Sequence, residues 1–251
     1  MIRIGLTVLG MLTLMNLSAC ATINPIKTRH TPADSSAEVY DPFEPINRAT
    51  YKFNDGLDKV VIGPVARSYQ KSPRFLRNRI RNFSNNLAAP FTILNELIQL
   101  DFKDAEAQTG RFLLNSSLGV GGLFDIATRN GGPAHKNEDL GQTLGTYNIA
   151  PGPYLILPLL GPTNFRDGLG RAGQLVANPL TWTDFGGDVS FRASTGVIGG
   201  LDRRARVDDQ LNQIRQSADP YVRLRGLYNQ SRNVDIHEDA DPFADLPDFD
   251  E

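Results

Sequence analysis

Apolar residues recur at spacings of three and four along most of this chain, the period of helices that bury one face. From Pro45, placed in a first helical turn, Ile46, Ala49, Phe53, Leu57 and Val60 form one stripe, while Asn47, Arg48, Asn54, Asp55 and Asp58 form the other. Gly63-Pro64 separates this pattern from a second. There Ser72 and Pro73 supply a cap and a first turn, and Leu76, Ile80, Phe83 and Leu87 carry the apolar side. Pro90 opens a third helix, apolar on most of its circumference from Phe91 to Phe102, with Glu96 the sole charge before Asp101. Such a helix is central in a core or in contact with lipid. Phe102, Ala105, Thr109, Phe112 and Leu113 continue in amphipathic form, and a polar loop turns at Arg129-Asn130-Gly131-Gly132-Pro133. Further on, Thr163 is placed to cap a helix that stops at Asn178-Pro179, and Val189 to Ile214 read as one long helix, its first half nearly uncharged. A last helix, capped by Asp219-Pro220, presents Tyr221, Leu224, Leu227 and Tyr228. No strand signal competes, so the expected fold is all-α, a single compact helical domain over residues 41–233.

One segment breaks the pattern. Leu140 to Phe165 carries no charged side chain and is interrupted by Pro151, Pro153, Pro158 and Pro162. Its length would cross a bilayer, but a single helix cannot contain those prolines. A bent apolar hairpin is expected, with Ala150-Pro151-Gly152-Pro153 as the turn and Tyr154 to Leu160 as the arm. Irregular backbone at apolar depth must pack on protein or line a cavity, because unpaired amides in hydrocarbon cost several kcal/mol. A lining role follows, against the alternative of a buried loop in an ordinary core.

Charge divides the chain further. Asp235 to Glu251 holds eight acids and no Lys or Arg, so residues 234–251 read as an acidic disordered tail. The body between Cys20 and Val234 is correspondingly basic, about +5, which suits an anionic surface. Arg67, Lys71, Arg74, Arg77, Arg79 and Arg81 follow one another without an acid between them, giving the second helix a cationic face. Arg67, Lys71, Arg74, Arg77 and Arg81 are candidate contacts for phosphate headgroups or an acidic partner, with a merely solvated face as the alternative. Nucleic acid is disfavoured by the N-terminus. Residues 1–19 have one early charge, Arg3, and an apolar run from Ile4 to Leu17, the layout of a secretory signal peptide. The run ends Leu17-Ser18-Ala19-Cys20, which looks like the lipobox of bacterial lipoproteins, where Cys20 becomes the acylated N-terminus. Residues 20–40 then read as acylated Cys20 and a flexible tether. Ala21, where an Asp would signal retention, implies export to the outer membrane.

Catalytic chemistry has little support. Gly168 to Gly173 matches G-x-G-x-x-G, but the preceding strand of a dinucleotide fold is not expected, and close helix packing explains the glycines better. His135 with Glu138 and Asp139 could form a surface cation site, or simply a solvated loop. There is no G-x-S-x-G elbow and no phosphate loop, so no enzyme, resident metal or cofactor is expected beyond covalent acyl groups on Cys20.

Several blocks carry a family resemblance: Asp-Pro-Phe-Glu-Pro-Ile-Asn-Arg at 41–48, Arg-Asn-Phe-Ser-Asn-Asn-Leu at 81–87, Gly-Arg-Phe-Leu-Leu-Asn-Ser at 110–116, Glu-Asp-Leu-Gly-Gln-Thr-Leu-Gly at 138–145, Gly-Pro-Tyr-Leu-Ile-Leu-Pro at 152–158 and Ser-Ala-Asp-Pro-Tyr at 217–221. Together they resemble the VacJ family, also called MlaA, of Gram-negative outer-membrane lipoproteins. The resemblance implies a ring-like helical protein embedded in one leaflet, with an amphipathic channel that removes stray phospholipids from the outer leaflet. It implies a periplasmic lipid-shuttle protein and a trimeric outer-membrane porin as partners. Combined with the hairpin, it makes Gly141, Leu144, Gly145, Tyr147, Asn148, Pro151, Tyr154, Leu155, Ile156, Leu157, Leu159 and Leu160 the candidate lipid path. Asn148 and Tyr154 would meet the headgroup, the leucines and Ile156 the acyl chains, and Gly141 and Gly145 would act as hinges of a gate. A non-transport scaffold lipoprotein docking another envelope protein is the alternative.

Overall fold

The first helical pattern becomes α1, Glu44–Leu57, with Pro45 in its first turn, in a computed structural model that describes residues 39–177 and 189–237. The signal segment, Cys20, the tether up to residue 38, the stop at Asn178-Pro179 and the tail beyond His237 lie outside the described residues. Gly63-Pro64 does not interrupt the helical run. A π-helical segment, Asp58–Ile62, carries α1 into α2, Gly63–Gln70, and the Gly63 N–H bonds the Asp58 carbonyl five residues back. Pro64 has no N–H for the carbonyl of Val60 and its ring crowds that group, so a widened turn is the natural relaxation.

Pro90 likewise fails to start a new helix. Arg74–Ile98 is one helix, α3, with Pro90 inside it and Pro73 itself at the cap. Proline costs one ladder bond and a clash of about 3 kcal/mol. Packing along the length of α4, Phe102–Ser117, holds the remaining turns together. After the short α5, Ile126–Arg129, the uncharged segment begins as helix rather than hairpin. Its α6, Leu140–Thr146, is held by a capping box in which Asp139 accepts from the Gln142 N–H and Gln142 accepts from the Asp139 N–H.

The hairpin itself lies later than expected, and it is a small sheet. Strands β1, Tyr154–Leu157, and β2, Gly161–Asn164, pair antiparallel with Tyr154 opposite Asn164 and Leu157 opposite Gly161. The turn is therefore Pro158-Leu159-Leu160, not residues 150–153. Leu159 and Gly161 supply it with positive φ, +66° and +81°. Asn164, rather than Thr163, caps α7, Phe165–Ala177, accepting from the Asp167 N–H at 2.8 Å. The long final pattern divides at Val207 into α8, Val189–Arg206, and α9, Asp208–Arg215. In α10, Pro220–Ile236, Asp219 is the expected cap, accepting from the N–H groups of Tyr221 and Val222. The all-α class holds, with one two-stranded hairpin added.

The helices turn their faces the unusual way. Along α1 the apolar stripe points outward, Ile46 being 65% and Phe53 57% exposed, while Asn47 is 2% exposed. On α4 the buried positions are Ala105, Gln108, Arg111 and Asn115, and Phe102 and Leu113 are exposed. On α3 the inward set includes Thr92, Asn95 and Glu96, with Leu94, Leu97 and Ile98 outside. One apolar cluster joins Tyr154, Ile156 and Tyr221, backed by Val39, Tyr51, Leu224 and Tyr228, while Phe91 and Ile214 are buried elsewhere. Tyr221 stands edge-on to both Tyr154 and Tyr51, with ring centres 6.2 and 6.3 Å apart.

Candidate functional site

Two asparagines fix the hairpin against α1. Asn47 donates to the Tyr154 carbonyl and accepts from the Ile156 N–H, both at 2.9 Å. Two turns along, Asn54 donates to the Leu157 carbonyl and accepts from the Leu159 N–H, again at 2.9 Å. Each side-chain amide thus stands in for the peptide of a missing neighbouring strand, satisfying backbone groups that would otherwise be unpaired. The tip beyond this anchorage, Leu159 and Leu160, is left exposed.

That tip forms one wall of a cavity of about 810 Å³. The opposite walls come from the end of α1, the π segment and the start of α2, through Val61, Ile62 and Val65, and from α8 and α9, through Val197, Leu201 and Leu211. Most of the lining is aliphatic, but one side carries ions. Arg204 Nε lies 2.6 Å from Asp58 Oδ1 and its Nη1 2.8 Å from Asp208 Oδ1. Arg215 bridges Asp55 and Asp58 at 2.7 and 2.6 Å. The widened turn matters here, since it directs Asp58 inward while Val60 and Val61 stay exposed. Burial pushes the Asp58 carboxyl up, but the bonds from Arg204 and Arg215 outweigh it and hold it below the usual range. Arg203 lines the same cavity, exposed and without a carboxylate partner among the described residues. The whole is an apolar chamber with an ion-paired cluster in its wall and a cation at its surface, a lining suited to a molecule with long chains and an anionic head.

The candidate lipid path is only partly gathered there. Ile156, Leu159 and Leu160 line the chamber; Leu155 and Leu157 are half-buried on the hairpin and do not. Tyr154 is sealed in the core with its hydroxyl unpartnered, so it offers no polar contact to a passing molecule. Gly141, Leu144 and Gly145 belong to α6, away from the chamber lining, and Tyr147, Asn148 and Pro151 are exposed in the loop leading to β1. Gly141 and Gly145, expected as hinges, occupy close-packed positions. Both are buried in a capped helix where an added Cβ would strike Asp167 and Arg232, or Ile236 and Arg166, within 3.0 Å. The G-x-G-x-x-G motif serves the same packing, because the Cβ position of Gly170 is 2.5 Å from the Gly141 nitrogen.

The cationic face is divided. Arg81 pairs with Asp202 at 3.2 Å and Arg67 with Asp208 at 3.7 Å, tying α2 and α3 to α8 and α9. Arg77 is half-buried with its Nε unpartnered, and Lys71 and Arg74 are exposed with no ion pair among the described residues. His135 does not join Glu138 and Asp139. It borders a small polar pocket with Arg111 and Asp125, and burial, followed by the Arg111 charge, pushes its pKa down. Glu138 accepts from Gln99, and Asp139 caps α6 and binds Arg232 at 2.9 Å. The sequence reading missed the π-segment valines and the Asp58–Arg204–Arg215 cluster. The available signal was Gly63-Pro64 after three apolar residues, with Asp55 and Asp58 one helical turn apart.

With this geometry established, comparison with known proteins narrows the possibilities. The model of the MlaA lipoprotein family matches residues 39–235. The chain is 34% identical to the intermembrane phospholipid transport system lipoprotein MlaA of Escherichia coli strain K12 over 196 residues, 76% of each chain. It is 28% identical to the protein of that name in Haemophilus influenzae over 232 residues, 91% of this chain and 89% of the other. An uncharacterized protein of Rickettsia felis is 35% identical over 79% of each chain. A structure solved in work on the structural basis for maintenance of bacterial outer membrane lipid asymmetry superposes with a TM-score of 0.69 at 32% identity, covering 78% of this chain and 98% of that one.

Proposed function

The chain belongs to the MlaA lipoprotein family, and from that membership we propose that it transports phospholipid at the outer membrane and so maintains lipid asymmetry between the leaflets. The observation that carries the reading is the apolar chamber beside the hairpin tip, with Arg203 at its lining and ion-paired groups in its wall. Acyl chains slide against Val61, Val65, Val197, Leu159 and Leu160, while Arg203 meets the phosphate. No bond is made or broken. The exposed apolar sides of α1, α3 and α4 seat the protein in one leaflet. No helix among the described residues is long and apolar enough to cross a membrane. Acylation at Cys20 adds a covalent anchor at about 0.8 kcal/mol per buried methylene. Phospholipid leaves the outer leaflet through the chamber and passes to a periplasmic carrier, with a trimeric porin holding the protein in place.

The test is outer-leaflet phospholipid in cells lacking the protein, complemented with wild type, Val197→Trp or Arg203→Glu. Wild type should restore the leaflet and detergent resistance. Both variants should fail while keeping a wild-type melting temperature in detergent. Restoration by both would remove the chamber from the path, and an unaltered leaflet in the deletion would favour a scaffold.

A further inference from the structure

The corner joining α3 to α4 gathers acids around a buried, unsatisfied oxygen. The turn is tight: Leu100 adopts positive φ, +64°, and the Asp101 N–H bonds the Glu96 carbonyl at 3.0 Å. It brings Asp101 and Asp104, at the start of α4, over the last turn of α3. One carboxylate oxygen from each of Glu96, Asp101 and Asp104 lies within 4.8 Å of the others. Glu96 is 3% exposed, and its Oε1 has no hydrogen-bond partner among the described residues. Glu138, also buried, adds a further carboxylate near Glu96. The corner also brings Lys136, paired with Asp104.

A buried acid without a partner is a costly arrangement that calls for a compensating charge. We propose that Glu96, Asp101 and Asp104 form a binding site for a hard divalent cation, Ca²⁺ being the best fit. The donors are all carboxylate oxygens, which select Ca²⁺, Mg²⁺ or Mn²⁺ over softer metals. One buried and two half-buried ligands on an irregular corner suit the flexible coordination of Ca²⁺ better than the strict octahedron of Mg²⁺. Solvent completes the shell on the open side, and Lys136 swings away from Asp104 as the ion enters. The site ties the end of α3 to the start of α4, and it is independent of the transport chamber.

The test uses the mature, full-length protein in detergent, stripped with chelator and titrated with CaCl₂ by calorimetry, with thermal melting in parallel. One Ca²⁺ should bind per chain with a Kd of about 10⁻³ M or tighter, raising the melting temperature. Glu96→Gln, which keeps the shape and removes the charge, should weaken binding by about tenfold or more without lowering the melting temperature of the metal-free protein. Asp104→Asn provides a second ligand deletion should Glu96→Gln not fold. Folded wild type that neither binds nor is stabilised by millimolar Ca²⁺ would overturn the proposal. Undiminished binding in a folded variant would overturn it equally.

Discussion

Asn47 shows how much one polar side chain can decide in this protein. It is buried, donates to Asp41 and to the Tyr154 carbonyl, and accepts from the Ile156 N–H. Truncation leaves a strand carbonyl and a strand N–H unsatisfied in the interior, each a loss of about 1–3 kcal/mol. Asn47→Ala should therefore destabilise the protein by about 2–4 kcal/mol, read as a lower denaturation midpoint in detergent. Asn47→Asp should be no better, because a carboxylate cannot donate to Tyr154 O and would face Asp41. Asp125 gives a residue-scale prediction in pH. Burial pushes its carboxyl up, but hydrogen bonds from Thr128 and Asn115 and the Arg111 charge bring it down to about 2 from 3.8. A folded-state pKa below the unfolded one contributes stability that is fully present above about pH 4 and is lost as pH falls through about 2. Asp125→Asn should flatten that part of the melting-temperature profile. A profile as steep as wild type would show that Asp125 is not linked to folding.

At the scale of elements, the hairpin tip places a bulky residue where glycine is favoured. Leu159 has φ +66° and an exposed side chain facing the chamber. Left-handed backbone costs an L-residue about 1–2 kcal/mol, and an exposed side chain returns little by packing. Leu159→Gly should thus leave stability unchanged or slightly raised while slowing lipid transfer, since a wall of the chamber disappears. Marked destabilisation would show instead that Leu159 packs as a structural residue. The neighbouring π segment follows the same logic. Pro64 widens the turn, and the widened turn sets Asp58 between Arg204 and Arg215.

Across the described residues, many polar side chains are buried and many large apolar ones are exposed. Asp41–Arg225, Asp58–Arg204 and Asp167–Arg232 join segments distant in sequence. In water, exposed aliphatic faces on α1, α3 and α4 would drive association. In a lipid monolayer they are solvated, and internal ion pairs and amides provide the specific contacts that greasy helices lack. Cleavage between Cys20 and Val39 should consequently leave the body dependent on detergent or lipid vesicles for solubility. Release as a soluble monomer would contradict a seat in the leaflet.

Several features were legible before any coordinates, because they rest on local chemistry. Helix period identified α1, α4 and α10, Asp219-Pro220 marked a cap, and four prolines ruled out a spanning helix between residues 140 and 165. Blocks of ordered motif pointed to the family. Periodicity says that a helix has two faces and is silent on which one turns inward, so the outward stripe of Ile46 and Phe53 was decided by what surrounds α1. Pro64 and Pro90 read as breaks since a proline's cost is local, whereas the packing that absorbs it is not. The chamber needed the fold most of all. Its wall joins Val61, Leu159, Val197 and Leu211, residues far apart in the chain that carry no shared local signal, and only three-dimensional closure sets them around one space.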